Sequence, residues 1–365
     1  MAFYRPLKYY NNDPDYPNKQ EWISSRLLTL RHDHNEAIKK DRQPNSLIIG
    51  SWNIRAFDDG VPRMDESYHY IAEIIDHFDI CAIQEVKSDL EPLRRLMKLL
   101  GPDWDFFVSD VSTHKGGNKE RMAYVYNTTK VHFRNLIGEI VLPAEDLVNG
   151  EQIARSPFFA SFQAGWFKFS LCSAHIIYGD DLNLRAKEIG KITDALVARS
   201  KKEDQVHIFL GDMNIEKETD VVMKALKASK MTVPSFGPSN MSGTRWFDQM
   251  AFTEEGKAQR KTRLLRNGVF DWRHAVFGPH PDSNLIPSLL SDTDLAEGKK
   301  RHTKQEVLEH YEDIVTKIRA EHGKNPYSNW SRSYKNWTTY EMSDHLPIWM
   351  ELEVDYSDDY LRRFL

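Results

Sequence analysis

Residues 206–214 read VHIFLGDMN, a short apolar run followed at once by the polar side chains of Asp212 and Asn214. The run is too short for a typical helix and is rich in β-branched and aromatic residues, so it predicts a buried strand. Because side chains alternate along a strand, Asp212 and Asn214 are expected to share one face. The stretch therefore predicts a strand that ends in a pair of polar groups.

Apolar runs of the same kind recur on both sides of this stretch, each bounded by polar or turn-forming residues. They cover 46–54, 79–85, 122–127, 167–175, 247–252 and 345–354. Between them lie amphipathic patterns that predict helices over 65–78, 89–100, 184–201 and 218–229. Strands that alternate with helices predict an α/β domain in which helices cover a β-sheet core.

The length of 365 residues allows one large domain or two ordinary ones. The strand pattern runs through 46–355, so we expect a single catalytic domain there. Residues 1–45 are expected to form an N-terminal extension with a helix at about 19–40. Residues 281–340 break the alternation and are expected to be an insertion, with a charged helix at about 295–322. Residues 356–365 would be a C-terminal tail.

Composition excludes several classes of protein. Hydrophobic residues make up 40% of the chain and charged residues 28%, which is typical of a globular protein and excludes intrinsic disorder. No apolar stretch reaches the roughly 18 residues of a membrane helix, and no secretory signal is visible, so we expect a cytoplasmic protein without a membrane span. Cys81 and Cys172 lie in apolar runs and are expected to be buried free thiols.

The net charge of −5 excludes a protein that coats nucleic acid by bulk electrostatics. Binding of a polyanion would require a local basic patch or a metal ion. Two stretches are candidates for such contacts: the basic run 257–266, and residues 325–340, where aromatic and basic residues interleave. The basic run is equally typical of a solvated helix face, and the aromatic stretch of packing onto a core.

Polar side chains stand at the ends of most of the predicted strands, where an α/β fold usually carries its active site. They are Asn53, Glu85, His175, Asp212, Asn214, Asp344 and His345. One such residue alone would more often be a turn or cap residue. The full set of carboxylates, carboxamides and imidazoles is what a phosphoryl-transfer site with a hard cation requires.

These residue types suggest specific tasks. Mg²⁺ prefers oxygen ligands, which Glu85 and the neighbouring Asn53 can supply, whereas the sequence has no zinc-binding spacing. Hydrolysis needs a base for water and an acid for the leaving oxygen, and His175 and His345 suit both tasks. Each imidazole would need a carboxylate that fixes its tautomer.

The same residues lie in motifs that follow a known order. The motifs are SWNIRAF (51–57), DICAIQEV (79–86), KERMAYVYNTTKV (119–131), ARSP (154–157), LCSAH (171–175), LGDMN (210–214), WFDQM (246–250), VFDW (269–272) and SDHLP (343–347). This ordered set resembles the endonuclease/exonuclease/phosphatase superfamily, and within it the pattern of deoxyribonuclease I. The resemblance implies a four-layered α/β (α+β) sandwich of two mostly antiparallel β-sheets flanked by helices, with the site at one rim.

The resemblance also implies a role for each matching residue. His175, oriented by Glu120, and His345, oriented by Asp248, would be the catalytic histidines, with either one as the base. Asp212 and Asn214 would complete the catalytic set around the scissile phosphate.

Two further sets of residues follow from the same resemblance. The metal site would hold Mg²⁺, with Mn²⁺ as an alternative, through Glu85, Asn53 and Asp344. The substrate phosphates would be contacted by Arg155, Arg121 and Lys87. Lys87 stands where the deoxyribonuclease pattern has an arginine, so it keeps the charge but loses the planar fork. Arg121 would serve equally as the partner of a surface carboxylate.

The sequence therefore predicts a metal-dependent nuclease that hydrolyses phosphodiester bonds of DNA, with RNA as a second polynucleotide substrate. One alternative is a phosphatase or phospholipid phosphodiesterase on the same scaffold, and another is a non-catalytic interaction module. Strand preference, endo- or exonucleolytic action, oligomeric state and protein partners stay open.

Overall fold

The computed structural model describes residues 2–12, 19–57, 63–111, 119–148, 150–153, 155–179, 181–254, 262–273, 275–277, 309–321 and 326–365. Its strands, in chain order, are β1 (Ser46–Phe57), β2 (Ile80–Val86), β3 (Trp104–Val108), β4 (Arg121–Asn127), β5 (His132–Glu139), β6 (Phe158–Ala164), β7 (Phe167–His175), β8 (Val206–Asp212), β9 (Asp248–Phe252), β10 (Leu264–Val269) and β11 (Ile348–Glu353). Its helices are α1 (Lys19–His34), α2 (Asp65–Ile75), α3 (Glu91–Leu100), α4 (Leu182–Ser200), α5 (Val221–Ala228), α6 (Glu312–Glu321), α7 (Pro326–Glu341) and α8 (Ser357–Leu361).

The strands form two sheets. The first has the order β10-β11-β1-β2-β4-β3 and the second the order β5-β6-β7-β8-β9. Neighbouring strands are antiparallel except for β1 with β2 in the first sheet and β7 with β8 in the second. The predicted architecture of two mostly antiparallel sheets is thus confirmed.

Three apolar clusters hold the layers together. The central cluster lies between the sheets and includes Leu47, Phe162, Phe169 and Met350. A second packs α1, α2 and α3 against the outer face of the first sheet, and a third packs α4 and α5 against the second sheet. Burial of apolar surface on both faces of both sheets produces the four-layered sandwich.

The N-terminal segment packs into this structure. Trp22, Leu27 and Leu30 of α1 are buried in the same cluster as the apolar face of α2. The Trp22 ring also stacks on His310, just before α6, at a centroid distance of 3.9 Å. The expected division of the chain at residues 45 and 355 stays a prediction.

Several elements differ from the expectation. Residues 326–340 of the interleaved stretch belong to helix α7, because Tyr334 and Trp337 recur near helical spacing and pack inward. The described end of the basic run leads into strand β10. Arg263, directly before the strand, pairs with Glu353, and Arg266 within it pairs with Glu351. The other part of that run lies outside the described residues, as does most of the expected insertion at 281–340.

Two other expectations can be compared with the structure directly. Cys81 and Cys172 are buried free thiols, as the apolar runs around them predict. None of the helices in the described part of the chain is both long enough and apolar enough to cross a membrane.

Candidate active site

The candidate site lies at the rim where β1, β2, β7 and β8 end. In the register of the two parallel pairs, Asn53 stands beside Gln84 and His175 beside Asp212. Parallel strands bring their carboxyl ends to one edge of a sheet, so the strand-end side chains predicted from the sequence converge there. Asn53 bridges the two sheets, because its Nδ2 donates to Glu85 Oε1 at 2.9 Å and to Asp212 Oδ2 at 3.0 Å.

Unusual backbone conformations mark this rim. The register of β1 against β2 shifts beyond Asn53, and both Ala56 and Glu85 have positive φ, at 42° and 61°. Such a bulge re-aims a side chain, here the Glu85 carboxylate, whose Oε2 accepts the Ala56 N–H at 2.8 Å. On the second sheet, Gly211 has φ +129°, and a Cβ there would lie 2.0 Å from the Ala174 carbonyl oxygen. Only glycine fits directly before Asp212.

The first histidine–carboxylate pair joins β7 to the residue before β4. His175 Nδ1 lies 3.2 Å from Glu120 Oε2, and both side chains are buried. Arg155 Nη2 lies 3.2 Å from the same oxygen, and Lys87 Nζ donates to Glu120 Oε1 at 3.3 Å. Burial raises the pKa of the Glu120 carboxyl, but the hydrogen bond with His175 and the neighbouring positive charges outweigh it and lower that pKa to about 2.

The second pair joins His345, three residues before β11, to the start of β9. His345 Nδ1 lies 2.7 Å from Asp248 Oδ2, and Asp248 is fully buried. Ser239 Oγ donates to the same oxygen at 2.6 Å and accepts the Asp248 N–H at 3.0 Å. Burial lowers the pKa of the His345 imidazole, yet the charges of Asp248 and Asp212 raise it well above its ordinary value.

Both imidazoles face one carboxylate oxygen. Asp212 Oδ2 lies 3.5 Å from His175 Nε2 and 3.7 Å from His345 Nε2. Asp212 Oδ1 accepts the Asn214 N–H at 2.9 Å, which anchors the turn after β8. The two histidine–carboxylate pairs therefore meet at Asp212, each with its second ring nitrogen aimed at the same point.

The donor set fits a hard cation beside this centre. Asn53 Oδ1 is buried and has no hydrogen-bond partner among the described residues, and it adjoins the half-buried Glu85 carboxylate. Both are oxygen ligands of the kind that Mg²⁺ prefers. A second group, formed by Asp212, Asp248 and His345, has its ligand atoms within 4.8 Å of one another. Because Asp248 and His345 already bind each other, that group fits proton transfer better than cation binding.

Asp344 and Asn214 flank the centre. Asp344 is half-buried, and its charge is one of those that raise the pKa of His345. Asn214 has a positive φ of 50°, and its Nδ2 donates to the Ile176 carbonyl at 2.6 Å. Arg185 of α4, itself buried, donates to the Asn214 carbonyl and thereby holds this strained residue in place.

The three predicted phosphate-binding cations lie in different surroundings. Arg155 is buried, with its guanidinium bound to Glu120 and to the His175 carbonyl. Lys87 lies beside Glu120 as well. Arg121 donates to the Ser109 carbonyl at 2.8 Å and lies 3.7 Å from the exposed Asp110 carboxylate. The role of all three in substrate binding stays a prediction.

Three positioning residues escaped the sequence reasoning. Ser239 holds Asp248, and Arg185 holds Asn214. Ser343 Oγ donates to the Asn53 carbonyl at 2.6 Å and accepts the His345 N–H at 2.9 Å. Ser343 lies inside the SDHLP motif and could have been assigned from it. The sequence around Ser239 and Arg185, by contrast, contains no motif that indicates their role.

This fold agrees with the comparisons to known proteins. The chain belongs to the endonuclease/exonuclease/phosphatase family, whose model matches residues 50–339. Among individual relatives, deoxyribonuclease-1 of Equus caballus is 27% identical over 178 residues, which cover 46% of this chain and 61% of that protein. The match thus leaves more than a third of the horse enzyme uncovered.

Two solved structures share the fold. An endonuclease/exonuclease/phosphatase family protein from Bacteroides thetaiotaomicron has 15% identity and a TM-score of 0.50, over 86% of this chain and 99% of that one. A humanized D. rerio TDP2 with 14 mutations has 13% identity and a TM-score of 0.50, over 84% and 99%. At such identities the likeness supports the fold alone.

Proposed function

We propose that this chain is a metal-dependent endonuclease that hydrolyses phosphodiester bonds of DNA, with RNA as a second substrate. One observation carries the proposal: two buried histidine–carboxylate pairs meet at one oxygen of Asp212, beside the oxygen ligands Glu85 and Asn53. A phosphate placed against Asp212 would contact both imidazoles at once. A base and an acid for hydrolysis are thereby available on the same group.

Each residue then has a defined task. Asp248 and Glu120 hold the outer ring nitrogens, so that His345 and His175 present their Nε2 atoms to the substrate. One imidazole accepts the proton of the attacking water, and the other donates to a phosphate or leaving oxygen. Asp212 and Asn214 orient water and phosphate. Glu85, Asn53 and Asp344 would hold Mg²⁺ or Mn²⁺, which when bound offsets charge on the phosphate.

The substrate proposal has support beyond the site. The match to deoxyribonuclease-1 is to an enzyme named for its action on DNA. Lys87, Arg121 and Arg155 are proposed to add positive potential around the phosphates. The cytoplasmic location expected from the sequence stays a prediction.

The test uses supercoiled plasmid, single-stranded DNA and RNA, each with Mg²⁺, with Mn²⁺ or with EDTA. We expect metal-dependent nicking that is lost in Glu85→Ala and His345→Ala. Asp204→Ala should retain it, because Asp204 is exposed and precedes β8, at the opposite end of that strand from Asp212. Intact nucleic acid together with hydrolysis of a phosphoinositide or sphingomyelin would overturn the nuclease in favour of the phosphatase or lipid phosphodiesterase. No hydrolysis of any of these substrates would favour the interaction module.

A further inference from the structure

One face of helix α7 is exposed and positively charged, and its C-terminal end contacts Arg55 beside the candidate site. Arg332, Lys335, Asn336 and Tyr340 are all exposed. Arg332, Asn336 and Tyr340 follow one another at intervals of four residues and form a row along the helix, and Lys335 lies beside that row, three residues from Arg332. The row is about 12 Å long, given a rise of about 1.5 Å per residue. Within the described part of the chain, neither Arg332 nor Lys335 forms an ion pair with an acid.

Helix α7 itself contains no exposed acid that would offset these two positive charges. Glu341 is the only acid in the helix, and it is buried, with its carboxylate accepting from Ser67 Oγ and the Met64 N–H. In a chain with a net charge of −5, a helix face with two cations and no acid is a local reversal of sign. Such a face suits a polyanion.

Tyr340 connects this row to the rim. The Arg55 guanidinium lies 3.9 Å from the centre of the Tyr340 ring and donates to Asn336 Oδ1 at 3.2 Å and to Thr339 Oγ1. Arg55 follows Asn53 by two residues on β1 and immediately precedes Ala56, whose N–H holds Glu85. The stacked pair therefore borders the proposed metal ligands.

The Tyr340 ring is 47% exposed, and Arg55 is its sole ring partner within the described residues. One face of the ring is thus covered by a cation while part of the ring stays open to solvent. An exposed aromatic ring on a helix face that also carries cations is the combination that binds single-stranded nucleic acid, since every base has a face that can stack. A duplex offers no unstacked base to such a ring.

We propose that this face of α7 binds the single strand that leads into the active site, with one unpaired base stacked on Tyr340 and the strand's phosphates on Arg332 and Lys335. The inference rests on the proposed nuclease function and adds a substrate class to it: single strands, or duplexes with a frayed end, in preference to intact duplex.

The first experiment compares kcat/KM on a single-stranded oligonucleotide and on the same sequence in a blunt duplex. Tyr340→Leu should lower the value on the single strand by about tenfold and on the duplex by less than about twofold, whereas Tyr340→Phe should keep the wild-type value on both. Tyr360→Leu is the matched control, because Tyr360 is similarly exposed but packs against Trp166, at the opposite end of β7 from His175. Equal losses on both substrates would overturn the proposal and make Tyr340 a support for Arg55.

A second experiment identifies the stacked base. Single strands carrying one abasic position at a time are cleaved by the wild type and by Tyr340→Leu. One abasic position should cost the wild type about tenfold in kcat/KM and cost the variant nothing further. If every abasic position affects both proteins equally, no base contacts Tyr340 and the proposal fails.

The phosphate contacts have their own measurement. Arg332→Gln combined with Lys335→Gln should lower the salt dependence of single-strand binding, reducing the slope of log K against log salt by about 1.4. An unchanged slope would show that neither Arg332 nor Lys335 contacts the phosphates of the strand. A wild-type protein that cleaves neither single strand nor duplex would instead overturn the proposed function itself.

Discussion

Two buried histidines of this chain have pKa values shifted in opposite directions. One lies at the rim and the other under the N-terminal segment. Both are nearly inaccessible to solvent. His345 Nδ1 lies 2.7 Å from the Asp248 carboxylate, and the surrounding acids raise its pKa well above the ordinary value despite burial. His77 Nδ1 donates to the backbone carbonyl of Glu73 at 2.7 Å, and burial, with the Lys39 charge, lowers its pKa to about 3.

The surroundings of His77 extend this contrast. His34 stacks between His77 and Phe270, at centroid distances of 3.9 and 3.5 Å, and burial lowers its pKa well below the ordinary value. Neither ring nitrogen of His34 has a hydrogen-bond partner in the described part of the chain. Burial and neighbouring positive charge therefore lower the pKa of both imidazoles, although the Glu73 carboxylate lies 3.9 Å from His77 Nδ1. The closer Asp248 carboxylate, together with Asp212, reverses this effect at His345. The pKa of the rim histidine is therefore raised, whereas the pKa values of the two histidines in the helical layer are lowered.

Removal of the rim carboxylate should have the largest effect. Asp248→Asn keeps the shape of the side chain but leaves His345 without its negative partner, so we expect kcat on a DNA substrate to fall by about 10³-fold. Steady-state kinetics with saturating Mg²⁺ measure this, and a urea titration checks that the variant is folded. Retention of kcat within fivefold would show that His345 needs no carboxylate.

Substitution of the proposed metal ligand Glu85 should have the second-largest effect. Glu85→Gln keeps one oxygen but removes the charge, so half-maximal activity should require at least about tenfold more Mg²⁺. A Mg²⁺ titration of activity measures the change, with Glu91→Gln, a substitution at an exposed acid, as the control. An unaltered Mg²⁺ requirement would show that Glu85 does not bind the metal.

A substitution of His77 tests whether the buried histidine of the helical layer stays neutral in the folded protein. An unfolded histidine binds a proton below pH ~6.5, whereas folded His77 stays neutral down to about pH 3, so the protein should lose stability as the pH falls below ~6.5. From pH 7 to pH 5 this residue should account for about 2 kcal/mol. His77→Phe should remove that share of the loss, as measured by urea unfolding at the two pH values. An identical pH dependence in variant and wild type would mean that His77 is charged in the folded protein.

The smallest effect should come from Ser239. Ser239→Ala removes one hydrogen bond to Asp248 and leaves the His345 contact in place, so kcat should fall only about fivefold, equivalent to about 1 kcal/mol. Ser235→Ala, at a residue of the same segment outside the site, is the control. A loss as large as that of Asp248→Asn would show that Ser239 fixes the carboxylate completely.

The strands and helices of this fold differ in how well the sequence predicts them. Strand β7 was predicted with its observed bounds, because its apolar run is continuous and ends sharply at His175. Strand β5 was missed, since most of its residues are exposed at the edge of its sheet and leave no apolar pattern. Helix α7 was not predicted as a helix, because Ser, Thr, Asn and aromatic residues have low helix propensity, which tertiary packing overrides.

The sequence likewise predicts some residues of the candidate site and misses others. Residues at strand ends, such as Asp212 and His175, were found because an apolar run stops at them. Ser239 could not be found, because it reaches Asp248 through a loop whose path depends on tertiary structure. The buried pair of His34 and His77 was equally invisible, since the two residues are distant in sequence and belong to different elements.

The bridge that Asn53 makes between the sheets has a consequence for the synthesis of this protein. Asp212 belongs to the second sheet, whereas Glu85 and the strand that follows His345 belong to the first, which is completed only by β10 and β11. A nascent chain that has not yet released residues 343–353 from the ribosome lacks His345 and the strand beside β1. The proposed nuclease would therefore stay inactive next to the RNA of the ribosome until residues 343–353 have emerged.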